Sequence, residues 1–141
     1  MGKILYIGGF ELPDKNAAAQ RVIGISNALY DLNNEIYLIG LTKSVDLKSG
    51  IINNKFKYEE LYYPKGINWI KYLTGFNGII NKIKSIKPDI VILYNYPSLA
   101  MNRIITYCKS NNIKLIGDTT EWYEGSGIFI KKYIGRLRQV G

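Results

Sequence analysis

Three short segments hold residue types that could do chemistry. The first runs from Gly8 to Arg21, with Gly8-Gly9, Asn16, Ala17-Ala18-Ala19 and Arg21 in order. Paired glycines let a backbone turn and approach a ligand closely. Small residues then open a helix whose first amides attract an anion, and Arg21 lies about one turn further in. This set suits a phosphate or a carboxylate. A plain strand-to-helix turn with a surface arginine accounts for the same pattern. The spacing is neither the G-x-G-x-x-G fingerprint nor a P-loop, since no Gly-Lys-Ser/Thr occurs.

The second segment reads Asp118-Thr119-Thr120-Glu121-Trp122-Tyr123-Glu124. Its carboxylates can accept hydrogen bonds from sugar hydroxyls, and one could act as a general base. The faces of Trp122 and Tyr123 can pack on a sugar ring. The competing reading is a capped loop whose tryptophan plugs the edge of the core. Tyr94-Asn95-Tyr96-Pro97-Ser98 is the third segment. It supplies hydrogen-bonding groups, but Pro97 near the first turn of a helix is also an ordinary helix start.

Other chemistries are excluded by composition. Histidine is absent, which removes a Ser-His-Asp triad, a Cys-His dyad and imidazole metal ligands. Cys108 is the sole cysteine, so no intrachain disulfide forms and a reducing, cytoplasmic setting is expected. Cys108 lies among Ile104, Ile105 and Tyr107 and reads as inert packing. No metal is expected.

The elements that position these segments alternate in period. Lys3 to Ile7 reads as a buried strand, Phe10 to Gln20 as a loop, and Ala17 to Leu32 as a helix. The helix carries Ala18, Val22, Ile25, Ala28, Leu29 and Leu32 at spacings of three and four, with Asn16 or Asp14 as its cap. Glu35 to Gly40 is a second strand, Thr42 to Asn54 a polar connection, and Lys57 to Tyr63 a third strand. Ile67 to Ile86 reads as one helix weakened by Gly75 and Gly78. Pro88-Asp89 leads into a strand ending at Tyr94, a helix runs from Pro97 to Asn111, and Ile113 to Gly117 is a fifth strand. Ile128 to Val140 is a last, basic helical piece. Strands alternating with helices give an α/β domain: a Rossmann-like parallel sheet flanked by helices. In such sheets ligands bind beyond the carboxyl ends of the strands, where all three segments fall.

The formal net charge is +8, from 19 Lys and Arg against 11 Asp and Glu. Anionic partners or a simple bias toward lysine account for it equally. No RNA- or DNA-binding motif supports a nucleic-acid partner, so none is expected. The helix over 67–86 places Ile70, Leu73, Phe76, Ile80 and Ile83 on one side and Lys71 and Lys82 opposite, with Trp69 near its start. A basic amphipathic helix of this kind suits an anionic membrane surface, and equally a core helix with a solvated lysine face. The run Lys131, Lys132, Arg136 and Arg138 suits solvent or lipid head groups. The longest apolar run, Ile90 to Tyr94, is too short to cross a bilayer of roughly 30 Å. The opening run is broken at Gly8-Gly9, so no targeting segment is expected.

The start, from Lys3 through Gly8-Gly9, Pro13, Asn16 and Ala17-Ala18-Ala19 to Arg21, resembles the opening of GT-B glycosyltransferases of family 4. Lys87-Pro88-Asp89 followed by Ile90-Val91-Ile92 is similar to that family's fourth-strand pattern, and Asp118 to Tyr123 to the segment after its fifth strand. The resemblance spans nearly the whole chain. It implies the N-terminal, acceptor-side half of a GT-B fold, and a retaining glycosyltransferase that moves sugar from a nucleotide-sugar to a polysaccharide or glycolipid acceptor without a metal. Gly8 and Gly9 would line the cleft near the donor phosphates, and Asn16 and Arg21 would lie near an acceptor or donor phosphate. Asp118 and Glu121 would face the acceptor sugar. The family's second, donor-binding domain and its paired glutamates have no counterpart before Gly141, so a separate donor-binding domain is an expected partner and the chain alone is expected to be inactive. Many relatives carry a histidine after the fifth strand, where Thr120 or Glu121 stands here. A lipid-linked acceptor would put the chain peripherally on the inner face of the plasma membrane. The alternative is a non-enzymatic Rossmann-like module that binds a phosphorylated ligand or partner through Gly8 to Arg21.

Overall fold

The computed structural model describes residues 1–74 and 78–120. Its strands are β1 (Lys3–Gly8), β2 (Glu35–Thr42), β3 (Ser49–Ile52), β4 (Phe56–Tyr62), β5 (Ile90–Tyr94) and β6 (Lys114–Asp118). Its helices are α1 (Ala17–Asp31), α2 (Asn68–Thr74), α3 (Ile79–Ile86) and α4 (Ser98–Ser110). One six-stranded sheet has the order β3-β4-β2-β1-β5-β6, and every pairing is parallel except β3 with β4. Leaving out β3, the parallel strands stand third, second, first, fourth and fifth. That is the Rossmann order, with its switch point between β1 and β5.

The two faces follow from the alternation of side chains along each strand. Ile4 and Tyr6 of β1, Ile36 and Leu38 of β2 and Ile92 and Tyr94 of β5 pack with Ala19 and Val22 of α1. Leu5, Ile7, Ile39, Val91 and Leu93 pack with α3 and α4 on the other face. Ile79 and Ile83 of α3, and Ala100, Ile104 and Cys108 of α4, recur every four residues and are buried. Because both faces are covered, β1 and β5 are buried almost throughout, as their continuous apolar runs require. At the edge, β6 leaves Ile116 exposed.

Three local features differ from the sequence reading. The polar connection 42–54 contains β3, which forms a hairpin with β4. Asn53 and Asn54 both take positive φ, 54° and 55°, as a tight type I′ turn requires. The expected single helix over 67–86 is two helices. Gly78 caps α3 with φ of 81°, a conformation that ends helical continuity. Ile70 and Leu73 of α2 are exposed while Ile83 of α3 is buried and Ile80 is half-buried, so the stripe drawn through them is not one surface. Phe76 lies outside the described residues, as do the expected helix 128–140 and its basic run. On α1 the buried positions are Ala19, Val22 and Ser26, and Leu32 is exposed.

The loop after β1 is also less open than its polar residues suggest. Phe10 and Leu12 are fully buried, with Phe10 edge-on to both Tyr6 and Tyr94. The Leu41 amide donates to the Phe10 carbonyl at 3.0 Å, which pins the loop over the end of β2. Gly40 makes this possible, since a Cβ there would stand 2.6 Å from the Phe10 oxygen. Gly8 is similarly required, because its Cβ would stand 2.5 Å from the Tyr94 carbonyl oxygen. Among the described residues, nothing stands within 4 Å of a Cβ at Gly9.

Gly8→Ala and Gly40→Ala should each destabilise the fold by about 1–3 kcal/mol through backbone displacement, whereas Gly9→Ala should change it by less than about 0.5 kcal/mol. Urea unfolding of the three variants checks this order. The buried Ser26 hydroxyl has no partner among the described residues. Ser26→Ala should therefore leave stability unchanged or raise it by up to about 1 kcal/mol in the same assay.

Candidate functional site

Three connections meet at the carboxyl edge of the sheet beside the switch point: those after β1, β5 and β6. Asp118, the last residue of β6, lies level with Tyr94 and Gly8 across the sheet. One Asp118 oxygen accepts from the Arg21 guanidinium at 2.8 Å. The other accepts from the Tyr6 hydroxyl, which reaches it past β5. One carboxylate thus joins the central strand, the edge strand and the first turns of α1.

Asn95 organises the neighbouring turn. Its backbone amide donates to the Asp118 carbonyl at 3.0 Å. Its side-chain amide donates to the Thr120 hydroxyl at 3.0 Å, and its side-chain oxygen accepts the Thr120 amide at 3.1 Å. The Tyr94 hydroxyl also meets Thr120 Oγ1, at 3.4 Å. Asn95 holds φ of 43°, a left-handed conformation that asparagine tolerates better than other side chains. Asn16 precedes α1. Its Oδ1 accepts the Ala19 amide at 2.8 Å and caps the helix, and it also accepts the Glu11 amide at 3.4 Å.

Charge on this rim is set by the Asp118 contacts. The hydrogen bond to Asp118 and its charge raise the Arg21 pKa, so the guanidinium is permanently cationic. About half of the Arg21 side chain remains exposed, against 13% for Asp118. The cation faces solvent while its counter-ion is sheltered. Burial pushes the Tyr6 hydroxyl well above the ordinary tyrosine range, and the bond to Asp118 and its charge push in the same direction. Tyr6 is therefore a neutral donor. With both oxygens engaged, Asp118 is placed to orient Arg21 and Tyr6, and the outward chemistry belongs to Arg21, Asn95 and Thr120.

Of the residues singled out in the sequence, Arg21, Asp118 and Asn95 do converge here, while Asn16 accepts the amides of Glu11, Ala19 and Gln20 around the start of α1. Gly8 contributes through the close approach of β1 and β5, and no described residue stands within 4 Å of a Cβ at Gly9. Glu121, Trp122 and Tyr123 lie outside the described residues. Tyr6 was missed. Its signal was a hydroxyl in an otherwise aliphatic strand, which needs a partner when buried. The buried carboxylate of Glu60 was also missed; it accepts the Lys48 amide at 3.0 Å and fixes the connection before β3.

A second cluster, around α2, lies on the other face of the sheet. Trp69 packs edge-on to Tyr63 and Tyr72, and Tyr72 reaches Tyr96 at 5.6 Å between ring centroids. Burial pushes the Tyr72 hydroxyl up to about 12. Ile67, Ile70 and Leu73 are exposed on the same helical region. Lys71 belongs to this helix, but Lys82 lies on α3 and pairs with Glu59 of β4 at 3.2 Å. Lys82 therefore fastens α3 to the sheet.

Among the described residues, no group of three or more His, Cys, Asp or Glu is placed to hold a metal, and no helix is long and apolar enough to cross a membrane. No protein-family model matches this chain, and no curated protein matches it.

Tyr6→Phe should cost about 1–3 kcal/mol near neutral pH, because it leaves an oxygen of Asp118 without its donor. The pH dependence carries a sign. An unfolded tyrosine ionises near pH 10.0, while native Tyr6 keeps its proton. The native state then binds more protons, and stability falls as pH rises above 10. The contribution is complete below pH 10, so urea midpoints of Tyr6→Phe should decline less steeply than those of the parent between pH 10 and 12.

Proposed function

We propose that this chain is the acceptor-side domain of a retaining GT-B glycosyltransferase, acting with a separate donor-binding domain on a polysaccharide or glycolipid acceptor. The observation that carries the reading is the convergence of Arg21, Asn95 and Thr120 at the switch-point rim, oriented by Asp118. In doubly wound sheets this is where ligands bind. The sequence resemblance to family 4 supplies the reaction class. Arg21 would meet a phosphate of the nucleotide-sugar or of the acceptor, and Asn95 and Thr120 would meet sugar hydroxyls. Asp118 would act by positioning. The reaction proposed needs no metal, and the chain alone would not turn over.

Arg21 also favours a second reading, a binding module for a phosphorylated ligand. Its exposed guanidinium can accept phosphate by paired hydrogen bonds. Amide chemical-shift mapping separates the two readings. Under the transferase reading, a panel of sugars and sugar phosphates should perturb Gly9, Arg21, Asn95 and Thr120 more than inorganic phosphate does, with Arg21→Ala abolishing the phosphate-dependent part. Equal perturbation by inorganic phosphate alone would favour the binding module. Perturbation confined to residues away from the rim would remove both.

We further propose that α2 seats the chain peripherally on the inner face of the plasma membrane. Exposed Ile67, Ile70 and Leu73, Trp69 and the cation of Lys71 support this, since such helices insert an apolar face below anionic head groups. Phosphatidylglycerol vesicles should co-sediment the chain at low salt. The double variant Ile67→Ser, Ile70→Ser should lower the bound fraction several-fold. Absence of co-sedimentation by the parent chain overturns the claim.

A further inference from the structure

A cavity of about 360 Å³ lies between α2 and the carboxyl ends of β2 and β4. Leu41 and Leu61 line it from the strand ends, Tyr63 and Pro64 from the connection after β4, and Asn68, Lys71 and Tyr72 from α2. Its size falls at the small end of ligand pockets, and its lining has their composition, apolar and aromatic with few polar groups. Among the described residues that line it there is no carboxylate and one charged side chain, Lys71. The ammonium of Lys43 stands 5.2 Å from the ring centroid of Tyr63, which also lines it. The described lining is thus mostly apolar and aromatic, and its charge is positive. It is separate from the rim at Arg21, on the other face of the sheet and at the ends of different strands.

We propose that this cavity binds the apolar chain of a single anionic amphiphile, with the head group beside Lys71 and Lys43. Leu41, Leu61 and Pro64 bury methylenes, and Tyr63 and Tyr72 enclose them. Asn68 supplies a hydrogen-bonding side chain for the head group. A cationic or uncharged head lacks the attraction. The exposed Ile67, just before α2, and Ile70, on it, give an apolar approach to the same region. The inference does not depend on sugar transfer, and it concerns one molecule in a cavity rather than the attachment of the chain to a bilayer.

Calorimetric titration of the chain with hexyl, octyl and decyl phosphate, each below its micelle concentration and without vesicles, tests it. Affinity should rise about fourfold for each added methylene until the chain outgrows the cavity. Inorganic phosphate should give no heat at this site, and decyl trimethylammonium should bind more weakly than decyl phosphate. Leu61→Trp fills the cavity from its wall and should weaken decyl phosphate by roughly fifteenfold, the loss of about two buried methylenes. Should that variant fail to fold, amide shifts of the parent chain decide instead. Decyl phosphate should move Leu41, Leu61, Asn68 and Tyr72 and leave Gly9 and Arg21 in place. Affinity that does not change with chain length, or shifts confined to Arg21 and its neighbours, overturns the proposal. Either result leaves the sugar-binding and vesicle experiments to stand on their own outcomes.

Discussion

The carboxylate of Asp118 is the interaction on which the rim depends. It ends an edge strand that is half exposed, and it has two partners far away in the chain. Tyr6 comes from the most central strand and Arg21 from the helix that covers it. The bond to Tyr6 is sheltered, so its acceptor cannot be replaced by water at little cost. The bond to Arg21 is half exposed, so its energetic worth is small and its value is orientation. An arginine on an open helix surface samples many rotamers. Here one guanidinium edge is held, and the cation is kept beside the end of β6.

Close approach of backbone to backbone sets up that geometry. Tyr94 passes over Gly8 at a distance no side chain would allow, and the loop after β1 crosses Gly40 in the same way. Phe10 can then lie between Tyr6 and Tyr94, sealing the α1 face beneath the rim. The two tyrosines are buried on this face with their hydroxyls directed at Asp118 and Thr120. The floor of the rim is aromatic and rigid, and the polar groups stand on it.

The second face works by a different principle. There α2 is short, rich in apolar and aromatic residues, and only partly packed. Its Trp69 and Tyr72 continue a chain of ring contacts from Tyr63 to Tyr96, the residue after Asn95. A space remains between the helix and the ends of β2 and β4. The doubly wound topology explains the separation of the two regions, since the chain reverses direction at β1 and sends α1 and the later helices to opposite faces.

Much of this was legible in the sequence. The α/β architecture, the parallel sheet and the location of every parallel strand follow from period, because a strand covered on both faces must be apolar throughout. Asn16 as a helix cap, Cys108 as packing, and Arg21, Asn95 and Asp118 as rim residues were readable from residue type and placement after strands. The break within 67–86 was only half visible. Gly75 and Gly78 weakened a helix that apolar spacing otherwise supported, and the positive φ of Gly78 is a tertiary choice. The hairpin of β3 was hidden because an edge strand needs little apolar content.

What the sequence determined by itself is local: which segments bury a face, where helices begin, and which charges and hydroxyls lie near strand ends. Tertiary structure alone decided the pairings. Asp118 is 97 residues from Arg21, and Lys82 is 23 from Glu59; no local rule relates either pair. The reasons that Gly8 and Gly40 lack side chains also lie in residues far along the chain, Tyr94 for one and the folded-back loop at Phe10 for the other. Strand order decides which ends become neighbours, and strand order is set by packing the whole sheet between its helices.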